Sequence, residues 1–139
     1  MTAELRLQRT LAADPFRVWR ALTEPAALSG WFWPERFGTV AALDLRVGGA
    51  FRLDAPKADL GVSGTYTVVD PPRRLAMTWR WSGEACESLV TIELAAIADG
   101  GTQLTLHHER LEDASSAEQH TQGWSDCLDR LPGWLAAAS

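Results

Sequence analysis

Trp124, Leu128, Leu131 and Leu135 recur at spacings of four, three and four, which is the stripe of one helix face. Ala117, His120 and Thr121 carry that face back toward the helix start, so the stretch from Ser115 to Ala137 reads as one long amphipathic helix. Ser115 with Glu118 three residues later has capping-box spacing, and the helix is expected to begin there. Pro132 falls inside it and cannot donate to the carbonyl of Leu128, so a kink or break costing about 3 kcal/mol is expected at Pro132-Gly133. A helix with one apolar stripe has to lay it against another layer. What the rest of the chain offers is strands.

From about Val40 to Arg110 the apolar residues alternate at period two. Leu43, Leu45 and Val47 read as one strand, Gly48-Gly49 as a two-residue hairpin turn, and Phe51 with Leu53 as the return. A polar loop from Ala55 to Asp59 precedes a strand from Val62 to Val69, which Asp70-Pro71-Pro72 ends. Leu75, Met77, Trp79 and Trp81 share one strand face, opposite Ala76, Thr78 and Arg80. Val90, Ile92 and Leu94 alternate likewise. After the turn at Asp99-Gly100-Gly101, Leu104, Leu106 and His108 complete the pattern.

Ahead of these strands, Leu5, Leu7 and Leu11 mark a first strand. Asp14-Pro15 opens a helix, with Asp14 as N-cap, Pro15 at its first position, and Phe16, Trp19, Ala21 and Leu22 as its buried side. Thr23-Glu24-Pro25 starts a second short helix, Pro25 to about Trp31. The expected class is α+β, a single domain over residues 1–139: an antiparallel sheet of about seven strands, apolar on one face, around one long helix. A helix about 10–12 Å across cannot fill the concave face of so broad a sheet, so a gap is expected between them.

Composition narrows the function classes. A net charge of −5 without any Lys/Arg run argues against nucleic acid and anionic membranes as partners. No apolar run approaches a membrane span and no signal peptide is visible, which makes a cytoplasmic location the expectation. Cys86 and Cys127 lack CxxC spacing and are expected to be two free, buried thiols. No His-Glu-x-x-His motif or clustered carboxylates appear, so neither metal nor cofactor is expected.

Several stretches carry a resemblance. Leu43-Asp44-Leu45-Arg46-Val47-Gly48-Gly49-Ala50-Phe51, Gly64 through Asp70-Pro71-Pro72-Arg73-Arg74-Leu75, and Thr78-Trp79 resemble the activator-of-heat-shock-protein-90-ATPase-like family. His120-Thr121-Gln122-Gly123-Trp124 with Leu128 and Leu131, and Ala13-Asp14-Pro15 with Val18-Trp19 and Leu28 through Trp31-Phe32, extend the likeness over nearly the whole chain. The family lies within the START-related (SRPBCC), helix-grip superfamily. The resemblance implies a β-α-α-β6-α helix-grip fold with an internal pocket under the last helix. No counterpart of the eukaryotic co-chaperones' additional amino-terminal domain is read in these 139 residues, so a chaperone-activating role is not the expectation.

Seven tryptophans in 139 residues are more than a core of this size needs. Trp31, Trp33, Phe51, Tyr66, Met77, Trp79, Trp81 and Trp124 are expected to line a ligand cavity, with His108, His120 and Arg80 as polar handles. Gly123 is expected where the helix approaches sheet or ligand most closely. No catalytic residue is assigned, and Cys127 reads as a packing residue. His107 and His108 are adjacent, so only one faces inward, and register favours His108. Three classes of function follow. The first is a binding protein for a hydrophobic or aromatic small molecule, monomeric or homodimeric. The second is a cyclase- or hydrolase-like enzyme using His108 as acid or base in the same pocket. The third is a chaperone or stress-response cofactor.

Overall fold

The computed structural model describes residues 2–137. Its elements are β1 (Ala3–Leu11), α1 (Pro15–Thr23), α2 (Pro25–Trp31), β2 (Val40–Leu43), β3 (Ala50–Ala55), β4 (Leu60–Asp70), β5 (Arg74–Trp81), β6 (Ser88–Ala96), β7 (Thr102–Leu111) and α3 (Ala114–Ala137). The strands form one antiparallel sheet in the order β1-β7-β6-β5-β4-β3-β2. Strands β2 to β7 are thus sequential neighbours, and β1 closes the far edge on β7. The α1–α2 pair carries the chain from one edge of the sheet to the other. This is the helix-grip α+β architecture.

The core sits where the periodicity puts it. Leu75, Met77 and Trp79 of β5, Val90, Ile92 and Leu94 of β6, and Leu104, Leu106 and His108 of β7 are all buried on one face. Trp124, Leu128, Leu131 and Leu135 of α3 are buried as well, joined by Cys127. Asp14 caps α1 by accepting from the Arg17 N–H at 3.0 Å, and Pro15 occupies the first turn. Among the described residues no helix is long and apolar enough to cross a membrane.

Five local expectations fail, each for an identifiable reason. Helix α3 starts earlier than Ser115: the Asp113 carboxylate accepts from the Ser116 N–H at 2.8 Å, so Asp113 takes the cap position. The helix also runs unbroken through Pro132. Burial of Leu131 and Leu135 on either side holds the last turn, as does the Arg17 guanidinium donating to the Leu135 carbonyl at 2.6 Å. Tertiary packing here outweighs the missing hydrogen bond. In α1 the buried side is Val18, Trp19, Ala21 and Leu22, whereas Phe16 is 57% exposed.

The fourth correction concerns the first hairpin. Strand β2 ends at Leu43, and Leu45 and Val47 stand in the connection, with Val47 64% exposed. Gly48-Gly49 is not a two-residue turn but the end of a longer loop. Gly48 adopts φ +86°, its N–H donates to the Tyr66 carbonyl, and the Tyr66 N–H returns to the Gly49 carbonyl. A Cβ on Gly49 would collide with the Asp44 carbonyl. The glycine pair is therefore required, for a tighter reason than the hairpin rule supplies. Finally, Cys86 is exposed; both thiols are free, and only Cys127 is buried.

Gly64 on β4 is a second position where only glycine fits, because a Cβ there would overlap the Thr78 carbonyl and lie 2.7 Å from the Phe51 ring. Gly64→Ala is expected to destabilise the protein by about 1–3 kcal/mol, as overpacking at a rigid backbone contact does. Urea unfolding measures it, and an unchanged midpoint would show that β4 and β5 can separate freely.

Candidate functional site

The site is assembled from four segments. Phe32 and Trp33 follow α2, Asp59 to Gly61 lead into β4, Trp79 to Glu84 end β5, and Ser116 to Cys127 form the first half of α3. Arg130 of α3 fastens the end of α2. Its Nε donates to the Trp31 carbonyl at 3.1 Å and its Nη2 to the Phe32 carbonyl at 2.7 Å. Those carbonyls are the free acceptors of a helix C-terminus, which a cation suits. The anchored turn holds Phe32 and Trp33 against the sheet.

Between these segments lies a cleft of about 400 Å³. Its walls are the rings of Phe32, Trp33, Trp79, Trp81 and Trp124, together with Leu60, Gly123 and Cys127. Its rim carries Asp59, Ser82, Glu84, Ser116, Gln119 and His120. Trp33 and Trp81 stack at 6.3 Å between ring centroids. Behind the cleft, toward the core, a second space of only about 40 Å³ is lined by Trp31, Phe51, Tyr66, Met77 and other apolar residues. Phe32, Trp79 and Trp124 border both spaces and pack on one another at 5.0–6.2 Å, so they form the wall between them. The gap expected under the helix is thus filled inside and open only at its mouth.

The sequence-derived candidates divide accordingly. Trp33, Trp79, Trp81, His120 and Trp124 line the cleft. Trp31, Phe51, Tyr66 and Met77 belong to the inner space, where burial pushes the Tyr66 phenol up to about 12. His108 lines neither and is 0% exposed. Arg80 sits on the opposite face of the sheet, beside Arg52 and Glu87. Gly123 lines the cleft with open space where a Cβ would stand, so it is not a point of close approach. The close approach is at Gly30, whose Cβ would strike the Trp134 ring.

Hydrogen bonds fix how the rings of His108 and His120 are oriented. The Trp124 indole N–H donates to His108 Nδ1 at 3.0 Å, so the ring proton is on Nε2, 2.6 Å from Ser88 Oγ. The Ser88 hydroxyl in turn donates to the Trp79 carbonyl at 3.1 Å. Desolvation pushes the His108 imidazolium down to about 3, aided by the nearby His120 and His107. His120 accepts the Trp81 indole N–H on Nε2 at 2.9 Å and directs Nδ1 at the Ser116 carbonyl, 2.7 Å away.

Ser88 and His108 therefore have the separation of a nucleophile–base pair without its other requirements. Both residues are buried, neither lines the cleft, and the second imidazole nitrogen faces an indole rather than a carboxylate. Cys127 borders the cleft, but burial holds its thiol up at about 12, against the lowering pull of Arg130. Among the described residues no group of three or more His, Cys, Asp or Glu is placed to hold a metal ion.

Sequence reasoning missed Ser88, Phe32 and Arg130. Ser88 could have been found from register: it lies two residues before Val90, whose β7 partner is His108, and opposite Trp79. Phe32 lies in the Trp31-Phe32-Trp33 run, where no periodicity says which ring turns inward. Arg130 had no signal, since a helix cation off the apolar stripe looks like any solvated residue.

Comparisons agree with this architecture. A crystal structure from Chromobacterium violaceum matches with 33% identity and a TM-score of 0.79, covering 94% of this chain and 95% of that one. A structure from Rhodobacter sphaeroides matches with 28% identity and a TM-score of 0.85, over 98% and 93% of the two chains. An HSP90 activator from Plasmodium falciparum shares the fold at 22% identity and a TM-score of 0.79, covering 96% of each chain. No curated protein matches the sequence. The family model described as activator of Hsp90 ATPase homolog 1-like protein matches residues 12–136, and with the fold and the 33% identical structure this places the chain in that family.

Proposed function

We propose that this protein binds an apolar or aromatic small molecule in the cleft between the first half of α3 and the ends of β4 and β5, without transforming it. The observation that carries this reading is the cleft itself: about 400 Å³, walled by five aromatic rings, beside a core that is otherwise filled. That volume lies in the range of small-molecule sites, and an aromatic wall with a polar rim is their usual make-up. Binding rather than turnover is supported by the histidines, whose nitrogens are engaged by indoles, a serine and a carbonyl. A general acid or base needs a nitrogen facing the substrate.

Equilibrium dialysis with naphthylmethanol tests the reading. The wild type is expected to show saturable binding at one site. Gly123→Leu puts a side chain into open cleft space and is expected to weaken that binding by about tenfold or more, equivalent to roughly 1.4 kcal/mol. Its thermal stability should hold, because leucine is the better helix former. Absence of saturable binding, or equal affinity in Gly123→Leu, contradicts the proposal.

A further inference from the structure

The rim of the cleft carries charge of one sign. Asp59 and Glu84 are its carboxylates, and no Lys or Arg is among the lining residues. Both come from one lip. The Ser82 N–H donates to the Gly61 carbonyl at 2.8 Å, which ties the entry of β4 to the end of β5. The Glu84 N–H donates to the Trp81 carbonyl at 3.1 Å and turns the chain there. Asp59 and Glu84 are exposed, and neither carboxylate has an ion-pair or hydrogen-bond partner among the described residues. Cations on the adjoining segments stay out of the lining. The Lys57 stem lies against Gly38, Arg80 is on the opposite face of the sheet, and Arg110 belongs to the end of β7. On the facing lip, α3 offers Ser116, Gln119 and His120; its first cation is Arg130, taken up by the Trp31 and Phe32 carbonyls.

We infer that the cleft takes an organic cation: a flat apolar body that enters between the rings, bearing a protonated amine or quaternary ammonium that stays at the lip of Asp59 and Glu84. This rests on the cleft being a binding site and names the class of molecule it holds. Walls and lip act in the same direction. An aromatic ring presents a negative face, and tryptophan is the best partner for a cation within about 6 Å. Trp33, Trp79, Trp81 and Trp124 all line this cleft. The two carboxylates stand in water, so each attracts modestly, but the attraction is felt over a Debye length of about 10 Å and needs no direct contact. An exposed lip also leaves the cation part of its water, so no charge has to be buried. An anion meets the reverse on every count. A metal ion is the poorer fit: among the described residues no group of three or more His, Cys, Asp or Glu is placed to hold one, and aromatic walls supply no oxygen ligands.

Three matched probes test the charge: naphthylmethylammonium, naphthylmethanol and naphthoate, each followed by equilibrium dialysis. In low salt the wild type is expected to bind the ammonium about tenfold more tightly than the alcohol, and naphthoate most weakly. Raising salt from about 20 mM to about 500 mM should shrink the ammonium-to-alcohol ratio several-fold, because exposed carboxylates are screened. In the double variant Asp59→Asn/Glu84→Gln the ratio should fall toward that of the high-salt wild type. Asp59 has φ +55°, a conformation asparagine tolerates, so the substitution suits the backbone. Removing two carboxylates outside the lining, Glu24→Gln/Glu93→Gln, should leave the ratio near the wild-type value. Equal affinity for ammonium and alcohol in the wild type overturns the inference while leaving the cleft a binding site. So does a ratio that survives Asp59→Asn/Glu84→Gln, or one that Glu24→Gln/Glu93→Gln lowers as far. Failure of all three probes to bind overturns both.

Discussion

Trp124→Ala is expected to lower the free energy of unfolding by about 3–5 kcal/mol, the range for truncating a buried large aromatic. Trp124 is in edge or tilted contact with Phe32, Trp79 and His108, so its loss opens the wall between the cleft and the inner space. It also removes the N–H that His108 Nδ1 accepts, leaving a buried imidazole nitrogen unpaired. Trp124→Phe separates the two contributions: it retains most of the ring and should cost markedly less. Denaturant unfolding of both variants checks this. A loss below about 1 kcal/mol for the alanine variant would mean that α3 can repack over the space, and the site would not be rigid enough to select a ligand.

Acid should destabilise this protein through His108. Its imidazolium is pushed from 6.5 to about 3, so between those values the unfolded chain binds a proton that the folded one refuses. Stability therefore rises with pH across that window and is lost as pH falls through it; the contribution is complete above about pH 6.5. The whole shift corresponds to something on the order of 4 kcal/mol, of which about 2 kcal/mol is lost by pH 5. His108→Gln removes the titration. At neutral pH that variant should be the less stable, having lost part of the Trp124–His108–Ser88 chain. The two stability curves should converge and then cross as the solution is acidified. Parallel curves between pH 7 and 5 would show that His108 takes up its proton in the folded state.

The same residue shows how far a sequence can be read. That His108 faces inward followed from alternation with Leu104 and Leu106, and it does. That it serves as a polar handle did not follow, because alternation says which face a residue takes and not what stands in front of it. Trp124 stands there, and it comes from a helix 16 positions away in sequence. Most of the strands, the long helix, the Asp14 cap and the second helix from Pro25 to Trp31 were legible because each rests on local spacing. Failures came where a distant partner decides. Pro132 is tolerated because Leu131 and Leu135 are buried and Arg17 holds the last turn. The Gly48-Gly49 turn answers to Tyr66 as much as to its own neighbours.

The cleft was the least legible feature. Ten residues were grouped as one lining, yet five of them reach the cleft and Trp31, Phe51, Tyr66 and Met77 close the inner space instead, with Trp79 and Trp124 shared between the two. Periodicity supplies faces, and faces alone do not give depth. Depth depends on Phe32, which drops between Trp31 and Trp124 to seal the interior, and on Arg130, which pins the turn that carries it. The surplus of tryptophan goes partly into the walls of the cleft, whose position along the helix axis did not follow from spacing.

Family membership leaves activity open, because one fold carries many sites. The central claim is that the cleft, and no other part of the molecule, receives the ligand. The seven indole N–H signals of a proton–nitrogen correlation spectrum test this directly, once each is assigned by Trp→Phe substitution. On titration with naphthylmethanol, the signals of Trp33, Trp79, Trp81 and Trp124 should shift together along one saturating curve. Those of Trp19 and Trp134, which lie outside the cleft lining, should stay in place. A saturating shift confined to Trp19 or Trp134, or no saturating shift at the four cleft indoles, would contradict it.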